Sequence, residues 1–197
     1  PINDFMTWLG TLINEATKLS PFLMGVVVSV LVGCALTLPI SSVAICVMLG
    51  LDGLAAGAAT VGCCAQMIGF AVISYKDNGI GGFISQGVGT SMLQIGNIVR
   101  NPAIWIAPTL TAAILGPVST MLLGMTNNAL GAGMGTAGLV GPLATYATMA
   151  ETAESASILI AKIIGLYFVA PALLSLSINM LITKLGWIKP GDMKLNQ

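Results

Sequence analysis

The chain has 197 residues, of which 56% are hydrophobic and only 7% charged, and its seven basic residues balance its seven acidic ones. Average soluble domains carry about 25% charged residues, so this composition, with a mean hydropathy of +0.95, indicates an integral membrane protein and excludes nucleic-acid binding through a basic patch. The chain has no histidine, which excludes imidazole chemistry, and its four cysteines lack the spacing of a zinc or redox motif, so we expect no cofactor.

Residues 1–20 are polar for this chain and are predicted to form a cytoplasmic N-terminal segment. They carry Asp4 and Glu15 and lack the apolar core of a cleavable signal peptide. The first residue is Pro1 rather than Met. We therefore expect either a processed chain or part of a longer polypeptide.

Charge-free intervals predict the membrane crossings, because an ionised side chain at the bilayer centre costs several kcal/mol and about 20 apolar residues suffice to cross. The predicted fold class is therefore an all-α integral membrane protein with about four transmembrane helices in a transport domain, residues 21–185, followed by a cytoplasmic tail, 186–197. The predicted helices cover 22–49 with a kink near Pro39, 54–74, about 101–125, and 158–183 with a kink near Pro171.

Two further segments, near 79–98 and 127–149, are too rich in glycine for ordinary helices. Each is predicted to be a re-entrant hairpin, which enters the membrane partway and returns. GVGTSML (87–93) and GMGTAGL (133–139) resemble each other, which predicts an inverted repeat with two opposed hairpins, as in secondary transporters. Shared low complexity is the alternative explanation. The glycines predicted to shape the hairpin backbone are Gly87, Gly89, Gly133, Gly135 and Gly138.

Gly133, Gly135 and Gly138 also spell G-x-G-x-x-G, the fingerprint of a dinucleotide-binding site. That site needs a β-branched strand before the first glycine, inside a βαβ unit. The preceding residues, STMLLGMTNNAL (119–130), are not such a strand. Nucleotide binding is therefore disfavoured.

The positive-inside rule gives an orientation for this arrangement. With four helices and opposed hairpins, six of the seven basic residues fall on one side, together with the C-terminus. Only Lys162 lies near the other side. The C-terminus is therefore predicted to be cytoplasmic.

The polar residues of the hairpins are the predicted substrate ligands: Glu151, Asn127, Asn128, Thr136, Gln86 and Thr90. Amides, hydroxyls and a carboxylate suit a neutral sugar, whose hydroxyls both donate and accept hydrogen bonds. Each residue also has a structural interpretation, because such side chains commonly bond to backbone carbonyls or hold helices together. Glu151 and Glu154 also suit a solvated helix N-terminus.

The run RNPAIWIAPTLTAAILGPVSTMLLGM followed by GAGMGTAGLVGPLATYATM resembles the enzyme IIC membrane components of the bacterial sugar phosphotransferase system, specifically the perfringolysin O regulator-like branch. The resemblance covers most of 22–185. It implies a homodimeric permease in the bacterial inner membrane that holds a sugar while a cytoplasmic enzyme IIB phosphorylates it. It also implies that this chain is a C-terminal portion, because members of this family have a further membrane half before it.

The resemblance leaves one difference. Better-known enzyme IIC proteins place a histidine and a glutamate around the sugar, and this chain has no histidine. Either another part of the protein supplies it, or this branch is a membrane sensor that binds sugar without transporting it. An ion-coupled transporter or channel is a third hypothesis. The identity of the sugar is not encoded in these patterns.

Overall fold

A computed structural model describes residues 2–150 and 155–195, and every element within them is helical. Within these described residues, three continuous helices are long and apolar enough to cross a membrane: Gly53–Ile73, Pro102–Leu122 and Ala156–Lys184. A 21-residue helix is about 31 Å long, which matches a hydrocarbon core of about 30 Å. The prediction of an all-helical membrane protein is confirmed.

The α-helices are, in chain order, α1 Ile2–Leu19, α2 Pro21–Thr37, α3 Ser42–Leu49, α4 Gly53–Ile73, α5 Tyr75–Ile84, α6 Ile95–Arg100, α7 Ile106–Pro117, α8 Ala129–Met134, α9 Val140–Met149, α10 Ala156–Ile164 and α11 Ala170–Lys184. Short 3₁₀ or π turns extend several of them. Turns at Pro102–Trp105 and Val118–Leu122 complete the span around α7, and a π turn at Gly165–Val169 joins α10 to α11.

The expected single helix over 22–49 is wrong, because the chain breaks between α2 and α3. α2 runs antiparallel to α7, since Thr120 Oγ1 donates to Pro21 O at 2.8 Å and Ser29 Oγ donates to Ala112 O at 2.8 Å. α3 then returns, and its first residue, Ser42, bonds to Gly133 O. Pro39 lies in the break. Proline has no backbone N–H to donate to the carbonyl one turn back, so it cannot continue the helix.

This return changes the predicted position of Lys18. In α1, Asn14 donates to Gly50 O at 2.9 Å and accepts from Asp52 N at 3.2 Å. The end of α1 and the start of α4 therefore share one end of the molecule. Lys18 lies at that end and not, as expected, with the basic residues of the C-terminal part.

α4 is the centre of the fold. Within its most apolar window 94% of residues are buried, against 28% for Ala156–Lys184. α4 is rich in Gly, Ala and Cys, and these small residues let neighbouring backbones approach closely. Gly62 lies against the backbone of Ser29, and Gly33 against the carbonyl of Gly62. α4 is therefore surrounded by protein along most of its length.

The expected kink near Pro171 takes the form of the π turn Gly165–Val169, directly before that proline. Proline lacks the N–H that would bond one turn back and its ring clashes with the carbonyl there, so a wider turn relieves both problems. The helical path nevertheless continues from Ala156 to Lys184.

The two glycine-rich segments each form two helical arms joined by a turn. In the first hairpin, 80–100, Thr90 is extended (φ −160°, ψ 142°) between the π turn Ser85–Gly89 and the 3₁₀ turn Ser91–Gln94. In the second hairpin, 129–149, the turn separates α8 from α9. Both turns fall within the similar sequences GVGTSML and GMGTAGL.

Candidate functional site

The two hairpins approach α4 from its opposite ends. The second hairpin starts beside the first residues of α4, where Asn127 N donates to Gly53 O at 3.2 Å. Its turn lies beside the middle of α4, because a Cβ on Gly135 would be 2.6 Å from the Cβ of Cys63. The first hairpin instead follows the last residue of α4. Their turns therefore point toward each other along one buried helix.

The turns meet through one short hydrogen bond. Thr136 Oγ1, in the second turn, donates to the carbonyl oxygen of Gly87, in the first, at 2.6 Å. The same hydroxyl lies 3.5 Å from the sulfur of Met67 in α4. Thr136 and Gly87 are both buried. Of the predicted site residues, this pair connects the hairpins directly.

The predicted hairpin glycines differ in what their position requires. Gly135 has a φ of +56° and packs on α4, so it needs both its conformational freedom and its small size. A Cβ on Gly133 would be 2.5 Å from the Cα of Val43. Gly138 has a φ of +51° but open surroundings, whereas a Cβ on Gly89 would meet nothing within 4 Å. A Cβ on Gly87 would make an ordinary contact at 3.4 Å.

Asn127 and Asn128 organise the start of the second hairpin. Asn127 is fully buried and donates to Thr60 Oγ1 at 2.8 Å and to Gly141 O at 3.2 Å, which joins α4 to both arms. Asn128 caps α8, because its side chain accepts from Gly131 N at 2.9 Å. Such a cap satisfies a free N–H at a helix start. Both side-chain amides therefore form hydrogen bonds that stabilise the start of the second hairpin.

Gln86 lies in a buried ladder of amides in the first hairpin. Its Nε2 donates to Ser74 Oγ at 2.8 Å, and its Oε1 accepts from Gln94 at 2.9 Å. Gln94 also donates to Met193 O, and Asn97 donates to Gln94 and to Lys194 O. The ladder therefore ties both arms of the hairpin to the C-terminal tail.

Thr90 caps the second arm of the first hairpin, since its hydroxyl accepts from Met92 N at 3.1 Å. Thr90 is half-buried at the turn, so it is closer to the surface than Thr136. Glu151 and Glu154 lie outside the described residues.

A polar cluster between α2, α4 and α7 was missed by the sequence interpretation. Its centre is Gln66, fully buried in α4, whose Oε1 accepts from Trp105 Nε1 at 3.0 Å and from Thr37 Oγ1 at 3.3 Å. Its Nε2 donates to Thr109 Oγ1 at 3.3 Å. The available signal was the presence of a lone amide inside an otherwise apolar span, which is expensive unless it has a partner or a function.

Exposed basic residues gather at the end of the molecule where α4 and α11 both finish. They are Lys76, Arg100, Lys184, Lys189 and Lys194. Asp77 and Asp192 lie at the same end and accept from backbone N–H groups of the tail. Five of the seven basic residues therefore share this end, one fewer than predicted, because Lys18 is elsewhere.

Comparison with known proteins identifies the family. No curated protein and no solved structure matches the chain significantly. The model of the family described as "Phosphotransferase system, EIIC" matches residues 1–195, which is nearly the whole chain. The chain therefore belongs to the EIIC family of the phosphotransferase system, the membrane components of its sugar permeases.

Proposed function

We propose that this chain binds a neutral sugar inside the membrane and passes it to a cytoplasmic enzyme IIB, which phosphorylates it. The observation that carries the proposal is the meeting of the two hairpins at the middle of α4, through the bond from Thr136 to Gly87. Two half-membrane hairpins that enter from opposite faces bring polar backbone groups to the bilayer midplane, where secondary transporters bind their substrates.

The orientation of the elements supports an inverted repeat. α4 with the first hairpin forms one unit, and the span Pro102–Leu122 with the second hairpin forms the other. α4 and this span are antiparallel, because Gly69 packs on Pro108 whereas Gly57 packs on Met125. Units that each contain one crossing and one hairpin insert with opposite orientation, which is the arrangement proposed here.

The chemistry around the turns favours a neutral ligand. The described polar groups near the turns are hydroxyls, amides and backbone carbonyls, including those of Thr136, Asn127 and Gln86. A sugar hydroxyl donates one hydrogen bond and accepts others, so such groups match it without a charge. Glu151 remains a predicted ligand on the basis of the sequence alone. The assignment to the perfringolysin O regulator-like branch likewise rests on the sequence resemblance alone.

A partner must supply the phosphoryl group. The chain contains no histidine, and its cysteines lie in the membrane domain, so we assign the phosphoryl carrier to enzyme IIB. The basic end near Lys76 and Lys189 is the proposed cytoplasmic face, in the bacterial inner membrane, because positive residues are retained on that side. A homodimer is part of the same proposal.

Uptake by the intact gene product tests the function. In a strain that lacks its other sugar permeases, expression should restore accumulation of a radiolabelled sugar as its phosphate, dependent on the enzyme IIB. Binding without accumulation would instead support a sensor. Accumulation of unmodified sugar without a phosphoryl donor would support an ion-coupled transporter.

The carboxylates that follow the second hairpin offer a matched pair for the same assay. Glu151→Gln removes the negative charge and keeps the shape of the side chain, so affinity should fall about 10- to 100-fold. Glu154→Gln should change the affinity by less than about threefold, because the sequence favours Glu151 over Glu154 as a ligand. Equal losses would indicate attraction by charge at an acidic entrance, and no loss at either position would exclude both as ligands.

A further inference from the structure

The basic residues at the end of the molecule where α4 and α11 finish lie beside the ends of the membrane spans. Lys76 follows the span that ends at Ile73, and Arg100 precedes the span that begins at Pro102. Lys184 is the last residue of the third span. All three basic side chains are exposed. Because the hydrocarbon core ends where an apolar span ends, each span has a cation at the depth of the lipid headgroups.

The C-terminal tail connects these span ends and adds a further cation. The side chain of Asn101 donates to Trp187 O at 3.0 Å, and Asp77 accepts from Gly191 N at 3.2 Å. Asn101 and Asp77 each directly follow one of the cations that flank the spans. Lys189, which is exposed, lies in the tail between these two attachment points. The tail is therefore fixed at the same depth as the span ends.

The carboxylates at this end are already occupied by the fold. Asp77 accepts from the backbone of Gly191, and Asp192 accepts from Lys189 N and Asn101 Nδ2 at 2.8 Å each. Within the described part of the chain, none of the five basic side chains at this end forms an ion pair. Five basic residues against two carboxylates leave an excess of three positive charges here. Such a surface attracts anions.

Exposed apolar side chains alternate with the cations in the segment KLGWIK, 184–189. Leu185 is 66% exposed and Trp187 57% exposed, whereas Ile188 is buried against the protein. Tryptophan is enriched at the membrane surface, where its ring lies among lipid and its N–H reaches polar groups. Lysine side chains extend their charged ends toward the headgroups from the same depth. The segment therefore has the composition of a chain that lies in the membrane surface.

We propose that this end of the molecule binds the headgroups of anionic phospholipids. The cations that attract the phosphates are those beside the spans and in the tail: Lys76, Arg100, Lys184 and Lys189. Leu185 and Trp187 enter the acyl chains beneath these headgroups. An acidic face of a soluble protein is the other anion that these cations could attract, but their depth beside the spans and the exposed apolar side chains between them favour lipid. This inference does not depend on sugar transport.

Native mass spectrometry of the detergent-solubilised protein provides the test. The protein is titrated with dioleoylphosphatidylglycerol, which is anionic, and separately with dioleoylphosphatidylcholine, which has the same acyl chains and no net charge. Each cation near an anionic lipid surface contributes enough attraction for about a fivefold change in affinity, so the anionic lipid should bind about tenfold more tightly or better. Raising the salt concentration should reduce this preference, because salt screens exposed charges.

Matched variants locate the site. Lys184→Gln and Lys189→Gln should each weaken binding of the anionic lipid about fivefold, and the double variant about 25-fold. Lys18→Gln is the control, because Lys18 lies at the opposite end of the molecule and pairs with Glu15 at 2.9 Å; its affinity should be unchanged. Trp187→Ala should weaken binding of both lipids by a similar factor, because its contact is with the acyl chains.

The following outcomes would overturn the inference. Equal affinities of the wild-type protein for the two lipids would show that the cations do not bind the headgroup. Equal losses in Lys18→Gln and Lys189→Gln would indicate an effect of overall charge. If the lipids bind equally but an acidic enzyme IIB binds in a salt-dependent manner that Lys189→Gln weakens, the surface binds a protein instead. Sugar uptake is measured separately, so failure of this inference leaves the proposed function intact.

Discussion

Gly135 is the position where one added methyl group should perturb the protein most clearly. In Gly135→Ala the new Cβ would lie 2.6 Å from the Cβ of Cys63 and 2.9 Å from the nitrogen of Cys64, in the middle of buried α4. The residue also has a φ of +56° and a ψ of −130°, a backbone conformation that residues other than glycine rarely adopt and that costs them about 1–3 kcal/mol. Overpacking adds about 1–3 kcal/mol. The free energy of unfolding should therefore fall by about 2–6 kcal/mol.

Two glycines in the same turns separate these contributions. Gly138→Ala has the backbone cost alone, because φ is +51° and the nearest atom to a Cβ is 3.9 Å away. Gly89→Ala has neither cost, since a Cβ there meets nothing within 4 Å. Alanine at that position should be neutral or stabilise by up to about 1 kcal/mol.

Thermal unfolding of the detergent-solubilised protein measures the series. For a chain of this size 1 kcal/mol corresponds to about 2–4 °C in Tm, so Gly135→Ala should melt about 4–24 °C below wild type. The Tm of Gly138→Ala should lie between those of Gly135→Ala and Gly89→Ala. Equal Tm values for Gly135→Ala and Gly138→Ala would refute the close approach of the turn to α4, and wild-type values for both would refute the turn geometry.

The remaining predictions concern the contacts between elements. Thr136→Val removes the hydrogen bond to Gly87 O but keeps the shape of the side chain, so the free energy of unfolding should fall by about 1–3 kcal/mol. Thr136→Ser keeps the hydroxyl, so its Tm should stay close to that of the wild type. Gln94→Leu removes the donor to Met193 O, so trypsin should cleave the C-terminal tail faster than in wild type; an unchanged rate would mean that the amide ladder does not hold the tail. Single cysteines placed at 18 and 76 in a cysteine-free background should be labelled by a membrane-impermeant maleimide from opposite sides of the membrane, and labelling from one side would contradict the return of α3.

The positions of the helix breaks in the two glycine-rich segments could be predicted because their signals are local in the sequence. Dense glycine in an apolar stretch predicts a broken helix, and both turns occur within the two similar glycine sequences. The positive φ at Gly135 and Gly138 agrees with the same pattern. The length of apolar runs likewise predicted the span Gly53–Ile73 to within one residue at each end.

The path of residues 21–49 could not be predicted in this way. An uninterrupted apolar stretch is equally compatible with one long helix and with a helix that returns as a shorter one, because hydropathy carries no direction. What decides between them is packing: small residues of α2 fit against α4, and Ser42 of α3 bonds to Gly133 O, far along the chain. As a consequence, Lys18 lies at the opposite end of the molecule from the one that the sequence predicted.

The sequence by itself determined that the protein is an all-helical membrane protein with two glycine-rich turns, because composition and spacing act over a few residues. Only the tertiary structure decided which polar side chains are already occupied. Gln86 and Asn127 stood out in the sequence, yet each is bonded within the fold. Gln66 is bonded as well, to Trp105 and Thr109, which lie about 40 positions away in the sequence. The physical reason is that a hydrogen-bonded cluster or a pocket is made by residues distant in sequence, whose approach depends on how whole helices pack.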